Sequence, residues 1–153
     1  NGRNALVLAE EGHEVWAVDR DEAALEAGRR AAEGAGGRVQ WIQADITDFI
    51  PERHYRLWHD RAVFHFLTEP REREAYLAAL HRGLQANGQL VIGAFALDGP
   101  QMCSGLPVQR YDAELLSRSL GEGFKLLDNR IETHHTPSGK LQQFGFYVYA
   151  KRG

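Results

Sequence analysis

No stretch of this sequence stays apolar long enough to span a bilayer as a helix, which argues against a membrane partner. Cysteine is almost absent. The single Cys103 excludes an internal disulfide, and a reduced, cytoplasmic setting is the expectation. Charge of one sign is never massed either, because the net charge of −3 is spread along the chain, so neither nucleic acid nor an acidic lipid surface is expected as a partner. Internal repeats, low-complexity tracts and a recognisable signal peptide are lacking, and the chain begins Asn1-Gly2 without a Met. What is present suits one domain with one core: 153 residues, 43% hydrophobic and 25% charged.

The organising stretch is Glu14-Val15-Trp16-Ala17-Val18-Asp19. It is β-favouring, too short for a helix and bounded by Gly12 and by acids, so it reads as a strand covered on both faces that ends on a carboxylate. Before it, Arg3 to Glu10 places Ala5, Leu6, Leu8 and Ala9 on one helical side, with Gly12 as a left-handed stop. After it, a helix runs to about Ala32, with Asp19 or Asp21 as its N-cap and Gly34 to Gly37 ending it. Val39 to Ala44 is a strand leading to Asp45, and Arg56 to His59 is another, leading to Asp60.

Thr68-Glu69-Pro70 opens a third helix to about Ala86, striped by Tyr76, Leu77, Leu80 and Leu84 and closed by Asn87-Gly88. Leu90 to Ala96 reads as a buried central strand, Asp98 to Tyr111 as a long loop, and Asp112 as the cap of a short helix. Phe124 to Thr133 and Phe144 to Lys151, joined through Pro137-Ser138-Gly139, predict a terminal antiparallel hairpin. Its tyrosines, Tyr147 and Tyr149, are expected on a half-exposed face.

Alternating helices and strands predict an α/β fold with a doubly wound, mostly parallel sheet, whose right-handed crossovers carry Asp19, Asp45 and Asp60 to one rim. A carboxylate at the end of an early strand can accept ribose hydroxyls, and one further along can meet the amine of adenine. Each also has a purely structural reading: Asp19 as a helix cap, Asp45 as part of an ordinary turn. Their joint placement points to a nucleoside cofactor.

The order Asn1-Gly2-Arg3-Asn4-Ala5-Leu6, Gly12-His13-Glu14-Val15-Trp16-Ala17-Val18-Asp19, Gln43-Ala44-Asp45 and Leu57-Trp58-His59-Asp60 resembles the class I S-adenosylmethionine-dependent methyltransferases over nearly the whole chain. The resemblance implies a Rossmann-like fold with S-adenosylmethionine as cofactor and a small-molecule substrate. Gly2 would close the family's glycine-rich loop, Asp19 with its neighbour Arg20 would hold the ribose, and Ala44, Asp45 and Ile46 would frame the adenine. His59 and Asp60 would border the transferred methyl group. The family's first strand and first glycines would precede Asn1. The expectation is therefore a fragment of a longer reading frame, with two unpaired sheet edges open to homo-oligomer formation and weak cofactor binding.

Asp60 to Leu67, Arg73, Tyr76 and Ser104 to Val108 are similar to branches acting on soft nucleophiles, including thiopurine, thiol and tellurite-resistance methyltransferases. Asp60, His65 and Arg61 are the catalytic candidates. His65 is either a base favouring a thiolate or a packed side chain, and Arg61, like Arg110, either an anion contact or, for Arg61, a partner of Asp60. Cys103 reads as an ordinary thiol. His134 and His135, adjacent on a strand, point to opposite faces, so no metal site is expected. Two other classes remain: a nicotinamide-dependent oxidoreductase on a similar rim, and a non-catalytic fragment.

Overall fold

A computed structural model describes residues 3–33, 38–61 and 63–153. The chain divides into two compact units, Asn1–Phe49 and Ile50–Gly153. Among the described residues no helix is long and apolar enough to cross a membrane.

The first unit contains α1 (Arg3–Glu10), β1 (Val15–Asp19), α2 (Glu22–Ala31) and β2 (Val39–Gln43). Gly12 sits at φ +97°, the left-handed conformation that ends α1 cheaply only at glycine. β1 and β2 pair in parallel, from Val15 opposite Val39 to Asp19 opposite Gln43. β1 is half-buried at all five positions, with no exposed face, and its strand partner is β2. The N-cap of α2 is Asp21, whose carboxylate accepts from the Ala23 amide at 3.0 Å. The expected glycine stop, Gly34 to Gly37, lies outside the described residues.

Gly28 of α2 faces the Trp41 ring of β2 so closely that an added Cβ would lie 2.5 Å from it. Gly28→Ala removes a helix-interior glycine, a gain of about 1 kcal/mol, yet forces the helix off a stiff indole, which costs about 1–3 kcal/mol. A net loss of stability in urea unfolding is expected; an increase would mean that Trp41 yields freely.

The second unit contains β3 (Tyr55–Arg61), a single 3-10 turn (Phe64–Phe66), α3 (Pro70–Gly83), β4 (Leu84–Phe95), the short pair β5 (Met102–Cys103) and β6 (Leu106–Pro107), α4 (Ala113–Leu120), β7 (Phe124–His135) and β8 (Leu141–Lys151). Its main sheet runs β3-β4-β8-β7, parallel between β3 and β4 and antiparallel beyond, which bears out the terminal hairpin. The long loop before Tyr111 is not structureless, since it contains the β5–β6 pair.

Two expectations are corrected here. α3 stops at Gly83 rather than near Ala86, because Leu84 turns extended (ψ 125°) to pair with Tyr55, and Lys151 Nζ takes the His81 and Leu84 carbonyls at 2.8 and 2.6 Å. Asn87, at φ 64°, lies instead in an irregular stretch of β4. The second correction concerns Tyr147 and Tyr149, which are 1% and 0% exposed rather than half-exposed. Tyr149 shares a 2.8 Å hydroxyl bond with Ser117 of α4, while Phe146, Val148 and Ala150 are the half-buried positions.

Candidate active site

In the first unit, the carboxyl ends of the parallel strands carry the candidate acids. Asp19, the last residue of β1, is half-buried, and its Oδ1 accepts from the Asp21 amide at 2.9 Å. Since Asp21 caps α2, Asp19 is free of that duty, and its Oδ2 has no partner among the described residues. The Asp19 carbonyl receives the Ala44 amide at 3.0 Å, which ties the two strand ends together. Asp45 Oδ1 accepts from the Thr47 amide at 2.9 Å and the Thr47 hydroxyl at 2.7 Å. Those bonds, the hydroxyl first, hold its pKa below the ordinary carboxylate value, aided by the nearby Arg20 cation. Asp45 thus forms the ordinary turn while keeping an anionic Oδ2 to offer.

Ala44 and Ile46 are half-buried beside these acids, and Arg20 is exposed. Half-buried carboxylate oxygens flanked by apolar side chains fit the polar edge and apolar face of a nucleoside. The concavity of about 340 Å³ in this unit is lined by Glu14, Val15, Trp16, Arg38 and Gln40, at the amino ends of the strands. It is away from the acids. Gly2 lies outside the described residues.

In the second unit, alternation along β3 sends Asp60 to one face and His59 and Arg61 to the other. Asp60 is inside β3 rather than beyond its end and is only 4% exposed. It accepts from the Val63 amide (2.8 Å), the Phe64 amide (3.0 Å) and the Tyr76 hydroxyl (2.5 Å), which in turn receives Trp58 Nε1 at 3.0 Å. Burial outweighs these bonds and pushes the Asp60 pKa up to about 6. With its oxygens taken by protein donors, Asp60 folds the chain back into the 3-10 turn. No local pattern marks Tyr76 as its partner; it reads in the sequence as one member of an apolar stripe.

That turn delivers His65, 0% exposed, against Phe66, Phe95 and Phe144 with ring centroids 4.5, 5.2 and 6.5 Å away. Neither ring nitrogen has a hydrogen-bond partner, and burial pushes its pKa down to about 4. The imidazole is therefore neutral at pH 7. Its own carbonyl takes the Gln109 amide at 2.7 Å, fastening the 98–111 loop beside it.

Arg61 does not pair with Asp60: its guanidinium lies 5.8 and 5.9 Å from the ring centres of Phe144 and Phe146, in cation–π range. His59 is on the same open face, its pKa lowered by desolvation first and by Arg61 second. Arg110 is spent on the Gly99 carbonyl at 3.1 Å, and Arg73 on the Leu67 carbonyl at 2.9 Å. Cys103 is a free, half-buried thiol, and no group of side chains suited to a metal occurs among the described residues.

A family profile described as a methyltransferase domain matches residues 1–88, more than half of the chain. The chain belongs to this family. It is a methyltransferase domain, and its fold is that of known methyltransferases. A SAM-dependent methyltransferase from Methanosarcina mazei superposes with a TM-score of 0.81 at 14% identity, covering 99% of this chain and 88% of that one. The 1,6-didemethyltoxoflavin-N1-methyltransferase of Burkholderia thailandensis, solved with bound 1,6-didemethyltoxoflavin and S-adenosylhomocysteine, gives 0.78 at 24% identity over 99% of this chain and 67% of its own. The N-methyltransferase NodS of Bradyrhizobium japonicum, in complex with S-adenosylhomocysteine, gives 0.78 at 14% identity over 99% and 74%. At these identities the likeness is one of fold. No curated protein matches the chain.

Proposed function

We propose that this methyltransferase uses S-adenosylmethionine to methylate a small-molecule acceptor bearing a soft nucleophile, a thiol or another polarisable atom. The observation that carries the cofactor reading is Asp19: a half-buried carboxylate at a parallel strand's carboxyl end, with one oxygen anchored to the backbone and the other open. Asp19 holds the ribose hydroxyls, Asp45 the amine of adenine, and Ala44 and Ile46 the faces of the base. S-adenosylmethionine, when bound, supplies a methyl group on a positively charged sulfur. The chain's own part is alignment and the exclusion of water, so no strong base is demanded.

The acceptor reading rests on His65. A ring of three phenylalanines favours a polarisable reacting atom, since sulfur packs well against aromatic rings. At a pKa of about 4 the imidazole is too weak to be an efficient base at neutral pH. An acceptor that displaces the packing around this ring would meet one unprotonated nitrogen able to receive its hydrogen bond and orient it. Arg61 supports an anionic part of the acceptor from the aromatic pair beneath it, and Asp60 positions the turn that carries His65.

The test is calorimetric titration with S-adenosylhomocysteine. Asp19→Ala is expected to weaken binding by about 1–3 kcal/mol, roughly 5- to 150-fold, through loss of charge-assisted bonds to ribose. Unchanged affinity would remove Asp19 from the site. Turnover with thiol but not amine acceptors supports the soft-nucleophile reading, and the reverse defeats it. Cofactor binding with no turnover on either class would make the chain a binding module.

A further inference from the structure

The outer edge of β7 closes the main sheet of the second unit and pairs with no described strand. From Leu127 to His135 every residue is exposed, including Ile131 at 53%. A long exposed edge is ordinarily blunted by a bulge and by charges. β7 has both, an irregularity between Leu126 and Asp128 and then the charges Asp128, Arg130 and Glu132, followed by the polar His134, all on one face. The order of these charges is what decides the partner.

A two-fold axis perpendicular to the sheet pairs a strand with its own reverse, keeping opposite residues on the same face. Centred on Ile131, that operation sets Ile131 against Ile131, Arg130 against Glu132, Asn129 against Thr133, and Asp128 against His134, in both directions. Arg130 and Glu132 then each meet an opposite charge, Asp128 meets an imidazole able to donate a hydrogen bond to it, and the Arg130–Glu132 pair already present within one chain at 2.9 Å becomes half of a four-charge network. The neighbouring registers fail. Centring on Arg130 or on Glu132 sets that charge against itself, and centring on Asn129 would require the bulged Leu127 to join the ladder. The favoured register occupies the regular part of β7 between its bulge and its turn, roughly seven residues or about 24 Å.

We propose that β7 is the interface with a second copy of this chain, joined edge to edge in antiparallel fashion about Ile131, so that two four-stranded sheets become one. Charge complementarity of the strand with its own reverse selects a second copy over an unrelated strand, for which this order has no reason to match.

Sedimentation velocity of the full chain at about 100 µM, a concentration at which even a weak edge pairing is populated, tests it. The wild type is expected to sediment as a dimer. Arg130→Glu and Glu132→Arg, each placing like charges opposite one another, are each expected to weaken dimerisation at least about tenfold. The double variant R130E/E132R restores the opposite-charge pairs and the dimer. A monomeric wild type overturns the proposal. So does a dimer that neither single reversal weakens, or one that the double variant fails to restore. The positions are exposed, so the variants fold, and circular dichroism run alongside verifies this.

Discussion

Asp60→Ala is expected to lower stability by about 3 kcal/mol at pH 7, the largest single effect outside the chain's apolar core. The substitution orphans the Val63 and Phe64 amides and the Tyr76 hydroxyl in a dry environment. At about 1–3 kcal/mol for each donor the gross cost is about 6 kcal/mol. Relief from keeping a buried carboxylate ionised, about 3 kcal/mol for a pKa raised from 3.8 to about 6, offsets part of it. Urea unfolding followed by tryptophan fluorescence reads the difference, since Trp58 is bonded to Tyr76 and reports on this network directly. Asp60→Asn keeps the shape but turns an amide toward donors, and is expected to fall between wild type and Ala. A loss below 1 kcal/mol for Ala would mean that water replaces the carboxylate.

The second large effect is a pair of opposite pH dependences that nearly cancel in the wild type. Asp60 has a raised pKa, so between about pH 6 and 4 the folded state binds more protons than the unfolded one. Its contribution grows as pH falls through that window. His65 has a pKa lowered from 6.5 to about 4, so there the unfolded state binds more protons, and its contribution is lost as pH falls from 6.5 toward 4. Each displacement of just over two pH units is worth about 3 kcal/mol, with opposite sign.

Relative to wild type, His65→Phe should therefore become more stable on going from pH 7 to pH 4.5, because only the Asp60 contribution remains. Asp60→Asn should become less stable over the same interval, because only the His65 contribution remains. Urea midpoints at the two pH values measure this, and the change with pH, compared with wild type, cancels the background of surface carboxylates. Parallel behaviour of all three proteins would place both groups in contact with water. If His65 also orients the acceptor, His65→Phe lowers turnover while cofactor affinity stays unchanged, a separation that a general loss of stability would not produce.

Features governed by near neighbours in the chain are legible in the sequence. Gly12 stops a helix because only glycine enters the left-handed region without strain, and Asp112 caps one because its carboxylate reaches an amide three residues on. The period of two in β8 and the Pro137-Ser138-Gly139 turn announce the hairpin. The placement of Asp19 and Asp45 at the carboxyl ends of β1 and β2 is legible for the same reason: a parallel strand followed by a helix delivers its last residues to one predictable side.

Other features depend on residues far apart. That Asp60 is a buried anchor, and Arg61 is laid over Phe144 and Phe146, follows from packing across a sheet whose partners are 16 and more than 80 residues away. Alternation in β8 separates two faces but does not say that the tyrosines take the covered one; Ser117 of α4 decides that. The end of α3 is set by pairing of Leu84 with Tyr55 against a helical stripe that continues past it. By itself the sequence determined most of the helices and strands and the position of Asp19 and Asp45 at the ends of β1 and β2, because propensity, capping and turn chemistry act over a few residues. Only the tertiary structure decided which of those groups keep an oxygen or nitrogen open for a ligand, because burial and hydrogen-bond satisfaction are properties of the packed chain.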